Sequence, residues 1–104
     1  MRYKPSVYIS GIITGDPGYM AKFRGEEERL RSLGYRPVNP AGIVPADVPR
    51  EKAMRAAVRA MLQCEGVSLL PGWQRSKGAR IEANLACALG LDVRRSGQWK
   101  GAEK

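Results

Sequence analysis

Short apolar runs suited to strands alternate with longer stretches whose apolar residues recur at helical spacing, and this alternation leaves few folds open to the chain. Residues 6–10 (SVYIS) form a strand that ends at Gly11, and a loop containing Gly and Thr leads to Asp16 and Pro17, a good helix-opening pair. A first helix is expected over about 18–33, with Met20, Phe23, Leu30 and Leu33 inward and Gly34 as its stop. A second strand covers 35–38. Residues 39–48, with their prolines and glycine, make a loop from which Asp47 is expected to cap a second helix, with Pro49 near its first turn. Met54, Val58, Met61 and Leu62 supply that helix's apolar stripe. A third strand over 66–70, a loop over 71–77, a third helix from Ser76 or Lys77 to Leu89 and a fourth strand over 91–94 complete the pattern.

Strict alternation of this kind implies right-handed crossovers and a parallel sheet with helices on both faces. The expected fold is therefore a flavodoxin-like three-layer α/β/α sandwich with about four parallel strands. With 104 residues, the chain reads as one domain over 1–95 followed by a polar, mobile tail over 96–104, although Trp99 has the means to dock. Loops 10–18, 39–47 and 71–78 follow strands and so gather along one edge of the sheet. Ligands bind at that edge in open α/β sheets, where helix N-termini also point.

One residue breaks the pattern of the third helix. Glu82 shares a helical face with Leu85, Ala86 and Leu89, while Arg80 and Asn84 point the other way, so it faces inward. A carboxylate there is costly unless it is paired, hydrogen-bonded or used in chemistry. An acid in the first turns of a helix also complements the dipole or closes a cap, and the helical wheel alone leaves both readings open. Tyr8, close to the end of the first strand, is placed to reach the same crevice. Gly11, Gly15 and Gly18 fall short of a dinucleotide fingerprint, and no phosphate loop ending in Gly-Lys-Ser/Thr is present, so by themselves they read as turn glycines.

Composition limits the chemistry. Histidine is absent, which removes the commonest general base and the usual serine or cysteine triads. Acid–base or nucleophilic work falls to carboxylates, tyrosines or lysines. Cys64 and Cys87 lie in expected helices with no histidine beside them, which suggests neither a zinc site nor a disulfide framework; they read as buried thiols. No metal or cofactor is expected. No apolar stretch approaches the length of a signal or membrane-spanning segment, so the expectation is a soluble, cytoplasmic protein without a membrane partner.

The blocks VYISG (7–11), LLPGW (69–73) and SKGARIE (76–82), followed by Ala86, Leu89 and Gly90, resemble the small proteins grouped as domain of unknown function 4406. That group in turn is similar to the nucleoside 2-deoxyribosyltransferase and nucleotide N-glycosidase superfamily, and the resemblance spans about residues 6–93. It implies that Glu82 attacks the anomeric carbon of a nucleotide or nucleoside, with Tyr8 hydrogen-bonded to that carboxylate. Ser76, six residues earlier, matches the position that is Ser in members using 5'-monophosphates, and Ser10, Gly11 and Gly15 would complete the phosphate cradle, with Gly78 in the same approach. Such a nucleophile divides glycosidic cleavage into glycosylation and deglycosylation. The resemblance also implies a homodimer or higher homo-oligomer.

One position departs from the superfamily, whose second helix usually carries an Asp that binds or protonates the base. Eight residues before Glu65 stands Ala57. Asp47, Glu51 or a partner subunit would have to fill in, or leaving-group activation is impaired.

Charge adds a less specific signal: 18 Lys and Arg against 10 Asp and Glu give a formal +8, enough to attract polyanions or phosphorylated small molecules. Arg50, Arg55 and Arg59 recur along one side of the second helix, as a solvated face or as a nucleic-acid surface. Arg75, Lys77 and Arg80 flank Glu82. Trp73 is placed to stack on a nucleobase, or else to serve as a packing lid or dimer seam. Beside the enzyme reading stand a nonenzymatic nucleotide-binding or sensing module and a basic nucleic-acid-binding accessory protein.

Overall fold

The computed structural model describes residues 3–43 and 47–101. Four strands, β1 (Ser6–Ser10), β2 (Arg36–Val38), β3 (Gly66–Leu69) and β4 (Asp92–Arg95), alternate with three helices, α1 (Tyr19–Ser32), α2 (Arg50–Leu62) and α3 (Lys77–Ala88). The sheet is wholly parallel in the order β2-β1-β3-β4, with Tyr8 opposite Val38 on one side and Val67 on the other, and Ser10 opposite Leu69. This is the three-layer sandwich expected from the alternation. The crossover direction reverses between β1 and β3, which opens a crevice at their carboxyl ends.

β1 and β3 are buried along their whole length because they lie at the centre of the sheet. Alternate residues feed two cores. Tyr8, Val67 and Leu69 pack with Ala57, Met61, Ala83 and Ala86 of α2 and α3, while Val7 and Ile9 pack with Phe23 and Leu30 of α1, together with Tyr35, Leu70 and Trp99. Backbone chemistry sets the helix ends. Ser76 caps α3 by accepting the Ala79 N–H at 3.1 Å. Gly34 (φ 98°) and Gly90 (φ 82°) follow the ends of α1 and α3 in the left-handed conformation that stops a helix cheaply.

Several side chains depart from the expected phase. Met20 is about half exposed and lines the cleft at the start of α1, and Glu26 takes the inward place between Phe23 and Leu30. Leu62 and Leu89 sit in or beyond the last turns of α2 and α3 and are exposed. Asp47 is exposed and does not cap α2, whose N-cap is Pro49, without a side-chain hydrogen bond. Cys87 is exposed, whereas Cys64 is buried; both are free thiols.

The chain after β4 also differs from a loose tail as far as Gly101. Ser96–Gln98 form a 3-10 turn, and Trp99 is buried edge-on against Tyr35, with ring centroids 5.2 Å apart. The Tyr35 hydroxyl donates to the Lys100 carbonyl at 2.6 Å, and the Arg29 guanidinium donates to the Ser96 carbonyl. Arg29 also grips Glu26 through two parallel hydrogen bonds, and Ser68 of β3 donates to the same carboxylate at 2.6 Å. No helix among the described residues is long and apolar enough to cross a membrane.

Candidate active site

The carboxyl ends of β1 and β3 open into a cleft of about 1030 Å³. Tyr8 and Ser10 of β1 point to the face carrying α2 and α3, since residues two apart share a strand face. Glu82 comes up from α3 to meet them. The Tyr8 hydroxyl donates to Glu82 Oε2 at 2.7 Å and the Ser10 hydroxyl donates to Oε1 at 2.6 Å, so each carboxylate oxygen is held by a different donor. Glu82 is only 6 % exposed, yet it lines the cleft.

Burial pushes the Glu82 carboxyl above its ordinary range, and the hydrogen bonds from Ser10 and Tyr8 oppose that shift. Tyr8 holds its proton far more tightly than a free phenol, first because it is buried and second because Glu82 stands beside it. Tyr8 therefore acts as a donor that orients the carboxylate. A buried acid held by two hydroxyls and open on one side is a suitable nucleophile or base.

The rest of the cleft is largely apolar, and its other charged side chains are basic. Arg50, Arg75 and Lys77 line it, and Glu82 is the only carboxylate among its described lining residues. Arg75 reaches its place through a tight turn: Gly72 (φ 84°) caps the short 3-10 turn Trp73–Arg75, and a side chain at Gly72 would meet the Arg75 guanidinium at 2.9 Å. Arg80, expected to flank the site, turns away and donates to the Gln74 carbonyl at 2.8 Å. Arg50, read from sequence as part of the α2 surface, instead opens that helix at the cleft wall.

Of the residues singled out in the sequence, Tyr8, Ser10, Gly11, Ser76, Gly78 and Glu82 all line this cleft. Ser76 accepts the Ala79 N–H and retains its own proton to donate. Gly11 lies against Leu70, whose side chain would stand 3.0 Å from an added Cβ. Two candidates lie outside the lining. Gly15 is a turn glycine at φ 85°, with nothing near the position of a Cβ. Trp73 is partly buried and packs against the core cluster that includes residues of α2 and α3. Tyr19, unmarked in the sequence reading, is a half-buried aromatic residue of the wall. Its signal was its place at the start of the helix that follows the first loop.

Ala57 also lines the cleft, packed against the core, while Asp47 and Glu51 are exposed and lie outside the lining. Neither brings a second acid to Glu82. Among the described residues there is no group of three or more acidic or sulfur ligands able to hold a metal ion.

A family model described as domain of unknown function (DUF4406) matches residues 5–95, which contain every site residue named above. The chain belongs to the DUF4406 family. Comparison with curated proteins gives no match. In this DUF4406 chain, the matched span runs from the residue before β1 to the end of β4 and so includes the whole sheet.

Proposed function

We propose that this chain cleaves the N-glycosidic bond of a nucleotide or nucleoside, acting as an N-glycosidase or a deoxyribosyltransferase-like enzyme with Glu82 as nucleophile. The observation carrying this reading is one carboxylate, held at both oxygens by Tyr8 and Ser10, in a largely apolar cleft whose other charged lining residues are Arg50, Arg75 and Lys77. The resemblance to the nucleoside 2-deoxyribosyltransferase superfamily supports the same assignment.

A Glu82 oxygen attacks the anomeric carbon as the bond to the base breaks, giving a glycosyl ester. Water, or the nitrogen of a second base, then takes the sugar and returns the carboxylate. Tyr8 and Ser10 keep Glu82 fixed and ionised. Ser76, Arg75, Lys77 and Arg50 suit a 5'-phosphate, through hydroxyl and charge-assisted hydrogen bonds. A cytoplasmic homodimer belongs to this reading, and light scattering of the purified protein tests the dimer.

Incubating the wild type and Glu82→Gln with ribo- and deoxyribonucleoside 5'-monophosphates, with and without free bases, tests the proposal by chromatography. Base release or exchange by the wild type alone is expected. Ala57 favours a second reading, in which the pocket binds a nucleotide without turning it over. Ligand-induced thermal stabilisation with no product would select it.

A further inference from the structure

Cleaving a bond to an ordinary nucleobase leaves a nitrogen anion unless an acid protonates the base as it departs, and in glycoside cleavage a carboxylic acid normally supplies that proton. Here the only carboxylate among the described cleft residues is Glu82, which the proposed function already uses as nucleophile. Residues 44–46, next to this wall in sequence, are Val, Pro and Ala and bring no acid.

The other proton carriers are poorly suited, the remaining hydroxyls of the cleft, on Thr14, Ser76 and Tyr19, belonging to alcohols and a phenol, which are far weaker acids than a carboxylic acid. Tyr8 and Ser10 both donate to Glu82, and Tyr8 holds its proton with more than ordinary strength. Arginine does not give up its proton in proteins. Lys77 is exposed and lies five residues before Glu82, about 140° away around the helix, so it serves the rim rather than the bond above the carboxylate.

The charges in the cleft complement a particular kind of substrate. Three cations, Arg50, Arg75 and Lys77, suit phosphate oxygens, and the single anion stands where the sugar–base bond must lie. Tyr19 adds a half-buried aromatic ring to the wall, a surface that attracts a cationic ring through its π face.

We propose that the substrate is a nucleotide whose base already carries a formal positive charge, as in a pyridinium nucleotide or an N7-alkylated purine nucleotide; this rests on Glu82 being the nucleophile. When Glu82 attacks, the C1'–N bonding pair passes to the ring nitrogen and cancels its charge, so the base leaves neutral without taking a proton. Water then attacks C1', the ester bond's electron pair returns to Glu82, and the proton lost by water passes to solvent. The sum is cationic nucleotide plus water giving sugar phosphate, neutral base and one proton. An ordinary neutral base retains that proton, and no net release accompanies its hydrolysis.

The test compares nicotinamide mononucleotide and 7-methylguanosine 5'-monophosphate with guanosine, adenosine and cytidine 5'-monophosphates and their deoxy forms, using the wild type and Glu82→Gln. Chromatography follows the base, and a weakly buffered indicator follows the proton. Glu82-dependent release is expected from at least one cationic nucleotide, at least about 100-fold faster than from any neutral one, the low end of what a general acid supplies. One proton should appear per nicotinamide released, and one per 7-methylguanine at a pH low enough that the purine keeps its N1 proton. The two cationic probes distinguish a pyridinium from an alkylpurinium preference. Glu82-dependent cleavage of neutral nucleotides at a comparable or higher rate would overturn this inference and leave the glycosidase reading standing. Absence of Glu82-dependent base release from every probe would overturn both.

Discussion

Tyr8 on the first strand and Glu82 on the third helix, far apart in sequence, meet through a 2.7 Å hydrogen bond in which the phenol donates and the carboxylate accepts. The contact depends on the whole topology, because β1 must lie beside β3 for α3 to reach it. Removing the donor with Tyr8→Phe leaves Oε2 without this partner and raises the Glu82 carboxyl further, since burial then acts with less opposition. The acid limb of the base-release profile should move to higher pH. A hydrogen bond to a charged group contributes about 1.5–3 kcal/mol, so the rate at neutral pH should fall roughly 10- to 100-fold. A pH–rate profile of both proteins checks this. An unchanged acid limb would remove Tyr8 from the orientation of Glu82.

Glu82 should also cost the fold stability at neutral pH. Its folded-state carboxyl is raised above the ordinary value of 4.5, so the folded protein holds this proton more tightly than the unfolded chain does. Stability from this group is thus full below 4.5 and is lost as pH rises from there through the raised folded value. Glu82→Gln resembles the protonated acid and escapes that loss. Urea melts should give similar midpoints for the two proteins near pH 4, with the variant increasingly the more stable as pH rises, until the difference levels off. A constant difference across that window would mean that Glu82 does not titrate as the burial requires.

Much of this arrangement could be read from the chain, and the failures share a cause. The central strands, the stop at Gly34, the start of the third helix at Ser76 or Lys77 and the inward Glu82 follow from local patterns that tertiary packing leaves in force. Met20, Leu62 and Leu89 are exposed although helical phase turns them inward, because phase says which side a residue occupies and not whether it opens on a cleft, as Met20 does, or ends its helix, as Leu62 and Leu89 do. Arg50 looked like surface because charge alone cannot tell a cleft wall from a solvated face. Glu26 looked equally ordinary, and its burial depends on Ser68 and on Arg29, residues whose convergence only the assembled sheet and helix reveal.

The basic wall should show itself in binding before chemistry. Arg75→Gln removes a guanidinium from the cleft while leaving the Gly72 turn free to form. For a phosphorylated substrate KM should rise roughly 10-fold, in keeping with the loss of one charge-assisted contact, with a much smaller change in kcat. The corresponding nucleoside without phosphate should be almost unaffected, and added salt should shrink the difference. Equal losses on nucleotide and nucleoside would show that Arg75 shapes the cleft instead of reading the phosphate.

Gly66 and Trp99 provide the test that separates the frame from the site. A methyl group at Gly66 would lie 2.6 Å from the Trp99 ring and 2.9 Å from the Asp92 carbonyl, so the segment after β4 or the β3–β4 pairing must give way. Gly66→Ala should therefore cost about 1–3 kcal/mol, as overpacking in a close-packed interior does. Trp99→Ala removes the ring but also its packing on Tyr35, at about 3–5 kcal/mol. Combined, the two should cost less than their sum, because the methyl group no longer meets the ring. Gly66 begins β3 while the cleft lies beyond its other end, so base release well below melting should stay near wild type in Gly66→Ala. Additive losses in urea denaturation would show that the carbonyl of Asp92, and not the indole, sets the limit on residue 66.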